Sequence, residues 1–146
     1  MQTTSQYPDL RLRRGKEASL ERFHPWVFSG ALTAMPTDTD EQVIAAARAL
    51  IRKGVRQVTA SLGGRGVMLV TENDAHLFAP PPVTVVDSTA AGDSFTAAMV
   101  AMYDGDNLPQ SLRFANRVAS LVCTRPGAQS SIPDEEEIHA LMQEEA

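Results

Sequence analysis

The sequence predicts an α/β fold, and three observations support this prediction. Apolar residues at helical spacing occupy residues 41–53. Short runs of β-forming residues, separated by turn residues, follow over residues 55–86. Alanine-rich and amphipathic runs of helical type then occupy residues 93–123. This order of helix, strand, hairpin, strand and helix is typical of α/β proteins.

Length and composition agree with this fold class. The chain has 146 residues, of which 43% are hydrophobic and 21% are charged, as in globular proteins. It has no apolar run of bilayer-spanning length and no apolar signal-peptide core at its N-terminus. The single cysteine, Cys123, excludes an internal disulfide and favours a reducing compartment. We therefore expect a cytoplasmic protein without membrane association.

Turn and capping residues divide the chain into elements. Gly54 ends the first predicted helix, Asn73 and Asp74 predict a hairpin, and Pro133 precedes the last helix. The predicted helices are 41–53, 93–103, 110–123 and 134–143. The predicted strands are 55–61, 67–71, 76–79 and 83–86, with a glycine turn at 63–66.

Residues 83–100, V-T-V-V-D-S-T-A-A-G-D-S-F-T-A-A-M-V, predict a strand, a turn of small residues and a helix. Such a turn leaves backbone N–H groups accessible at the helix start, where unpaired donors and the helix dipole favour negative charge. Asp93 lies at this helix start. It either caps the helix or accepts the proton of a bound hydroxyl group, and the spacing alone favours neither interpretation.

The segment D-S-T-A-A-G-D-S-F, residues 87–95, resembles the D-T-x-[GA]-A-G-D-[ST]-F signature of the ribokinase-like (PfkB) carbohydrate kinases. Its Ala90-Ala91 form is similar to that of the ribokinases within this family. The segments S-L-G-G-R-G, residues 61–66, and T-R-P-G-A-Q-S-S, residues 124–131, resemble two further family motifs in the same order. The resemblance covers residues 41–146 and implies the C-terminal, nucleotide-binding portion of a ribokinase-like α/β/α sandwich.

By this resemblance the chain is expected to transfer a phosphoryl group from ATP, with Mg²⁺, to a hydroxyl group of a sugar such as ribose. The resemblance implies that Asp93 is the general base and that the N–H groups of Ala90, Ala91 and Gly92 stabilise charge on the transferred group. It places the nucleotide near Ser61, Gly63, Gly64, Arg65, Gly66, Gly92 and Asn116, with Asn116 beside the adenine. The alternatives are a plain turn at 61–66 and an exposed mid-helix Asn116.

The resemblance also implies a site for K⁺, an ion that prefers oxygen ligands. The implied ligands are the carboxylate of Asp87, the carbonyl oxygens of Thr89, Val122, Arg125 and Gly127, and Ser131. Two structural alternatives stay open. Asp87 could instead bond the N–H groups of its own turn, and the Thr-Arg-Pro-Gly segment could simply end a helix.

Two features of the family have no counterpart in this sequence: the N-terminal half that binds the sugar, and an N-x-x-E motif for magnesium. We therefore expect a truncated or chimeric kinase, which depends on a homo-oligomer or on a missing kinase half for the rest of its site. The alternatives are a nucleotide-binding remnant without catalysis and an RNA-associated protein that acts through the basic segment from Arg11 to Arg22.

The N-terminal residues have a different character. Residues 1–9 are polar and predicted to be disordered. Residues 10–33 predict a short β/α extension and resemble the start of the PUA domain in 23S rRNA cytosine methyltransferases of the large-subunit methyltransferase I type, on the run S-L-E-R-F-H-P-W-V-F-S-G-A. Residues 34–40 form the predicted junction. The basic residues between Arg11 and Arg22 indicate either RNA contact or a charged surface, and Trp26 and Phe28 are predicted core residues.

Overall fold

The computed structural model of the chain describes the backbone of residues 25–28 and the whole of residues 35–144. Several predictions concern residues outside these ranges. They are the disordered tail, the basic segment and the rest of the PUA-like extension apart from the backbone of residues 25–28, and the side chains of Trp26 and Phe28.

A four-stranded sheet lies at the centre of the described fold, in the order β1-β2-β3-β4. The strands are β1 (Pro25–Phe28), β2 (Gln57–Ser61), β3 (Val67–Val70) and β4 (Ala75–Phe78). β1 pairs in parallel with β2, with Pro25 opposite Gln57, while the β2–β3 and β3–β4 pairs are antiparallel. The hairpin predicted at Asn73 and Asp74 is confirmed: the N–H of Thr71 donates to the carbonyl of Asp74 at 2.9 Å.

The first helix, α1 (Asp40–Ile51), covers one face of the sheet. It begins in a capping box, in which Thr39 and Gln42 each accept a hydrogen bond from the other's backbone N–H. Its buried residues and the sheet residues beneath them form one apolar cluster, made of Val43, Ala46, Ala47, Val58, Ala60, Met68 and Val70. The predicted helix at 41–53 is confirmed.

Three more helices follow the sheet in sequence: α2 (Ala91–Met102), α3 (Leu108–Cys123) and α4 (Glu135–Gln143). α2 and α3 pack against the other face of β3, where Val67 and Leu69 are buried with Phe95, Leu112 and Phe114. Successive residues of β3 therefore serve opposite faces, and the fold is a small α/β/α sandwich as predicted. None of the helices in the described ranges is both long and apolar enough to cross a membrane.

The strand predicted at residues 83–86 is not formed, and this prediction was wrong. Val83, Val85 and Val86 are 41%, 63% and 60% exposed, and no described strand lies beside them. The N–H groups of Val86 and Asp87 instead donate to the carbonyl of Cys123, at 2.8 and 3.2 Å. Valine favours a strand only where a neighbouring strand completes the ladder, and the three preceding prolines have no N–H to donate.

Candidate functional site

The turn before α2 is built by the side chain of Asp87. Its Oδ1 accepts hydrogen bonds from the backbone N–H of Thr89 at 2.9 Å and from the Thr89 hydroxyl at 2.6 Å. The chain then reaches Ala90, whose φ of 66° is left-handed and which forms the N-cap of α2 without a side-chain hydrogen bond. The N–H of Ala91 donates to the carbonyl of Ser88 at 3.2 Å, which closes the turn.

Asp93 is the third residue of α2 and is exposed. The interpretation of Asp93 as the N-cap was wrong, because Ala90 occupies that position. The N–H groups of Ala90, Gly92 and Asp93 have no hydrogen-bond acceptor among residues 35–144. Ala91 differs from the prediction, since its N–H is already bonded within the turn. The start of α2 therefore presents free donors beside one carboxylate.

A cleft of about 580 Å³ adjoins this helix start, and Asp93 is one of its lining residues. Its walls are mostly apolar and come from α2, α3, α4 and the loop before α4. The main lining residues are Ala97, Ala101, Phe114, Val118, Ile132, Pro133 and Ile138. A single carboxylate at an apolar cleft is an arrangement suited to binding a small organic molecule and exchanging a proton with it.

The second oxygen of Asp87 connects the turn to the loop after α3. Its Oδ2 accepts a hydrogen bond from the backbone N–H of Gly127 at 2.9 Å. The Thr89 hydroxyl, the Gly127 N–H and the Thr89 N–H together lower the pKa of Asp87 to about 2. Asp87 therefore accepts from the backbone N–H and the hydroxyl of Thr89 in its own turn, in line with one of the two sequence interpretations.

The residues predicted to hold K⁺ lie around this connection. The T-R-P-G segment does end α3, because α3 stops at Cys123 with Thr124 as its C-cap. The carbonyl of Val122 accepts the N–H of Arg125 at 3.2 Å, and the buried Ser131 donates to the carbonyl of Ala128 at 3.3 Å. The set supplies an ionised carboxylate, carbonyl groups and a hydroxyl, so it fits a monovalent cation in ligand type. The described residues contain no cluster of three or more His, Cys, Asp or Glu side chains for a metal such as Mg²⁺.

The glycine turn at 61–66 contains a 3₁₀ turn, Gly63–Arg65. A Cβ atom on Gly63 or Gly64 would meet nothing within 4 Å, so the backbone there is open to a ligand. Gly66 has a different role: its φ is 99°, and a Cβ atom would lie 2.1 Å from the carbonyl oxygen of Phe78. Arg65 pairs with Asp40 at 2.5 Å and so connects the turn to the start of α1.

Asn116 is buried, and its Nδ2 donates to the carbonyl of Phe78 at 2.7 Å. The alternative of an exposed mid-helix Asn was wrong. The carbonyl of Phe78 thus contacts both Gly66 and Asn116, and it brings the glycine turn and α3 together at the end of β4. Sequence reasoning did not identify Phe78, because no residue pattern marks a backbone carbonyl as a shared partner. Arg113, which lies 5.3 Å from the Phe78 ring centroid, was also missed.

Comparison with known proteins gives a consistent result. Residues 29–135 match the model of the pfkB family carbohydrate kinases. The chain is 40% identical to the ribokinase of Arabidopsis thaliana over 114 residues, which are 76% of this chain and 30% of that protein. It is 31% identical to the ribokinase of Haemophilus influenzae over 107 residues, which are 73% of this chain and 35% of that protein.

Solved structures show the same likeness. The structure of Arabidopsis thaliana ribokinase complexed with ribose and ATP superposes with a TM-score of 0.70 at 38% identity, over 78% of this chain and 38% of that one. A protein of E. coli described as ribokinase II, in complex with ATP and Mg²⁺, superposes with a TM-score of 0.64 at 28% identity, over 81% of this chain and 38% of that one. The chain spans about a third of the length of the curated relatives it matches.

Proposed function

Since this chain belongs to the pfkB family of carbohydrate kinases, we propose that it functions in ATP-dependent phosphoryl transfer to a sugar hydroxyl group, with ribose as the favoured acceptor. The observation that carries this proposal is the position of Asp93 in the first turn of α2. It lines a cleft and lies next to the free N–H of Gly92. The ribose and ATP bound in the Arabidopsis thaliana structure support the choice of substrates.

In this proposal Asp93 accepts the proton of the attacking sugar hydroxyl group. The free N–H groups of Ala90 and Gly92 stabilise negative charge on the transferred phosphoryl group, helped by the helix dipole. Ala91 contributes by closing the turn, because its N–H is already bonded to Ser88. Asp93 thus acts on the attacking hydroxyl group, and the N–H donors act on the phosphoryl group that is transferred. Phosphoryl transfer requires both roles.

We propose that the nucleotide lies along the open backbone of the glycine turn, near Ser61, Gly63, Gly64 and Arg65. The open space beside Gly63 and Gly64 supports this placement, whereas Gly66 serves the packing on β4. The Nδ2 of Asn116 is committed to Phe78, so its Oδ1 is the atom that would contact an adenine amino group.

K⁺ is proposed to bind between the Asp87 turn and the loop after α3, through Asp87, Thr89, Val122, Arg125, Gly127 and Ser131. When bound, the ion would supply positive charge beside Asp87 and hold these loops together. Mg²⁺ is proposed to arrive with ATP, because the described residues provide no carboxylate cluster for it. Neither ion acts as a base, so the proton transfer remains with Asp93.

The remaining part of the kinase is proposed to come from a second copy of the chain or from a separate kinase half. The exposed valines of residues 83–86 support this, because this β-forming run has no neighbouring strand among the described residues and a partner could supply one. The single free cysteine supports a cytoplasmic location. A second candidate function is nucleotide binding without catalysis, which the open backbone at Gly63 and Gly64 would allow.

The proposal is tested by a coupled phosphorylation assay over a panel of pentoses and hexoses, with and without K⁺, together with calorimetric titration of ATP. Sugar-dependent ADP formation that K⁺ increases is the expected result. Saturable ATP binding without turnover of any sugar would favour the second candidate. A chain that neither binds ATP nor turns over a sugar would contradict both.

A further inference from the structure

A second pocket lies at the end of β2 opposite to the glycine turn. It measures about 530 Å³ and is lined by Arg48, Ile51, Arg52, Gly54, Val55, Arg56 and Glu72. Gly54 and Val55 precede β2, whereas Gly63 and Gly64 follow it, so the five residues of this strand, about 17 Å, separate the two regions. The pocket also shares no lining residue with the cleft at Asp93, so the two are distinct.

Three arginines dominate the charge of this pocket. The Nε of Arg48 is buried and has no hydrogen-bond partner among the described residues. None of the three, Arg48, Arg52 or Arg56, forms an ion pair within residues 35–144, although Glu72 is a lining residue. A buried N–H donor without an acceptor, here the Nε of the half-buried Arg48, is unusual, since buried polar groups are normally hydrogen-bonded. Its presence indicates that an acceptor belongs at this position.

The local backbone does not supply that acceptor. The carbonyls of Arg48, Leu50 and Ile51, in the last turn of α1, already accept the N–H groups of Arg52, Lys53 and Gly54 at 2.9 to 3.0 Å. The α1 dipole disfavours an anion at this end of the helix, so the arginine charges must provide the attraction. Guanidinium groups bind phosphate oxygens in bidentate geometry, and a pocket of this size has room for an attached organic group.

We propose that this pocket binds the phosphate group of a small phosphorylated molecule, with the half-buried Arg48 as the anchor through its buried Nε, and with the exposed Arg52 and Arg56 at the entrance. Glu72 weakens the binding by its negative charge. The proposal does not depend on the kinase function, because no residue of the Asp93 cleft takes part in it.

The test is isothermal titration of the full chain with inorganic phosphate and, separately, with glucose 6-phosphate at an ionic strength of about 0.15 M, where surface charges are largely screened. We expect saturable binding of both, and inorganic phosphate should displace the sugar phosphate. Arg48→Gln should weaken either affinity by about tenfold or more, since it removes a charge-assisted hydrogen bond. The double variant Arg52→Gln/Arg56→Gln should weaken both affinities as well, and Glu72→Gln should strengthen both.

Lys53→Gln is the matched control, because it removes the same charge from a neighbouring residue that does not line the pocket. It should change the affinity by less than about twofold, as expected for a screened surface charge. Circular dichroism melting curves will show that each variant remains folded. The proposal is overturned if neither phosphate compound binds saturably, or if Lys53→Gln weakens binding as much as Arg48→Gln does. Asp93→Asn should leave this binding unchanged, so a failure of this site is separable from a failure of the proposed kinase function.

Discussion

The carboxylate of Asp87 accepts a 2.9 Å hydrogen bond from the backbone N–H of Gly127, forty residues further along the chain. The same carboxylate holds the turn before α2 through Thr89. One side chain therefore sets the position of the loop after α3 relative to the start of α2. The proposed catalytic base and the proposed cation ligands both depend on this connection.

Asp87→Asn is expected to lower the thermal unfolding midpoint, because an amide NH₂ group would face one of the present hydrogen-bond donors. Since its pKa is lowered from 3.8 to about 2 in the folded chain, the carboxylate stabilises the fold above pH 3.8. That contribution is lost as the pH falls from 3.8 towards about 2. Thermal unfolding followed by circular dichroism, at pH 7 and across this acid range, measures both effects.

The control is Asp106→Asn, because Asp106 is exposed and its carboxylate accepts no hydrogen bond from the described chain. Its midpoint should stay close to that of the wild type at every pH. The difference between wild type and Asp87→Asn should shrink on acidification. A difference that stayed constant down to pH 2 would show that the Asp87 charge does not contribute.

The glycine turn allows a graded comparison. Gly64→Ala adds a methyl group in open space at an ordinary φ and should have little effect on stability. Gly63→Ala, at a φ of 58° but also in open space, should lower the free energy of unfolding by about 1 kcal/mol. Gly66→Ala combines a φ of 99° with a 2.1 Å approach to the carbonyl oxygen of Phe78. It should cost about 2 kcal/mol or more.

Urea unfolding of these three variants measures the series. Gly64→Ala is the control for Gly63→Ala, and Gly63→Ala is the control for Gly66→Ala. All three replacements add one methyl group, and they differ only in φ and surroundings. Equal losses at Gly63 and Gly66 would contradict the close contact with β4.

Much of this fold is predictable from sequence. In several elements the local sequence preference and the tertiary contacts favour the same structure. The apolar spacing of α1, the hairpin at Asn73 and Asp74 and the amphipathic pattern of α3 each specify their element without help from distant residues. Residues 83–86 show the limit. Their valines favour a strand, but a strand forms only against a partner, and sequence does not reveal whether a partner is adjacent.

The candidate site is predictable to a similar degree. The motif located Asp93 and Asp87, but the start of α2 was misjudged, because Ala90 adopts a left-handed φ that side-chain identity does not signal. Asn116 was identified only through the family resemblance. Its burial follows from the distant carbonyl of Phe78, a contact between backbone and side chain that leaves no trace in composition or spacing.

Asn116→Ala is expected to lower the free energy of unfolding by about 1–3 kcal/mol, because the partly buried carbonyl of Phe78 would lose its donor. Gln110→Ala, an exposed polar residue of the same helix, is the control and should have little effect. Urea unfolding provides the stability, and titration with ATP provides the affinity. Should Asn116→Ala prove as stable as the control, the hydrogen bond to Phe78 would not be a structural one.

Asp93→Asn is expected to reduce phosphoryl transfer by about 10²–10⁴-fold, the range typical for removal of a general base. The fold should survive, because Asp93 is exposed and the asparagine loses only a favourable charge interaction of about 0.3–1 kcal/mol with the α2 dipole. ATP affinity should change little, because the free N–H groups at the start of α2 remain.

Glu136→Gln is the matched control, since it removes an exposed carboxylate that lies in the first turn of α4 and does not line the cleft. It should leave turnover unchanged and shift stability by a similar small amount. The coupled assay and ATP titration, performed on wild type and both variants, separate the effects on catalysis and binding. If Asp93→Asn kept wild-type turnover, the proton would have to leave by another route, and the proposed role of the α2 start would reduce to binding the phosphate groups of ATP.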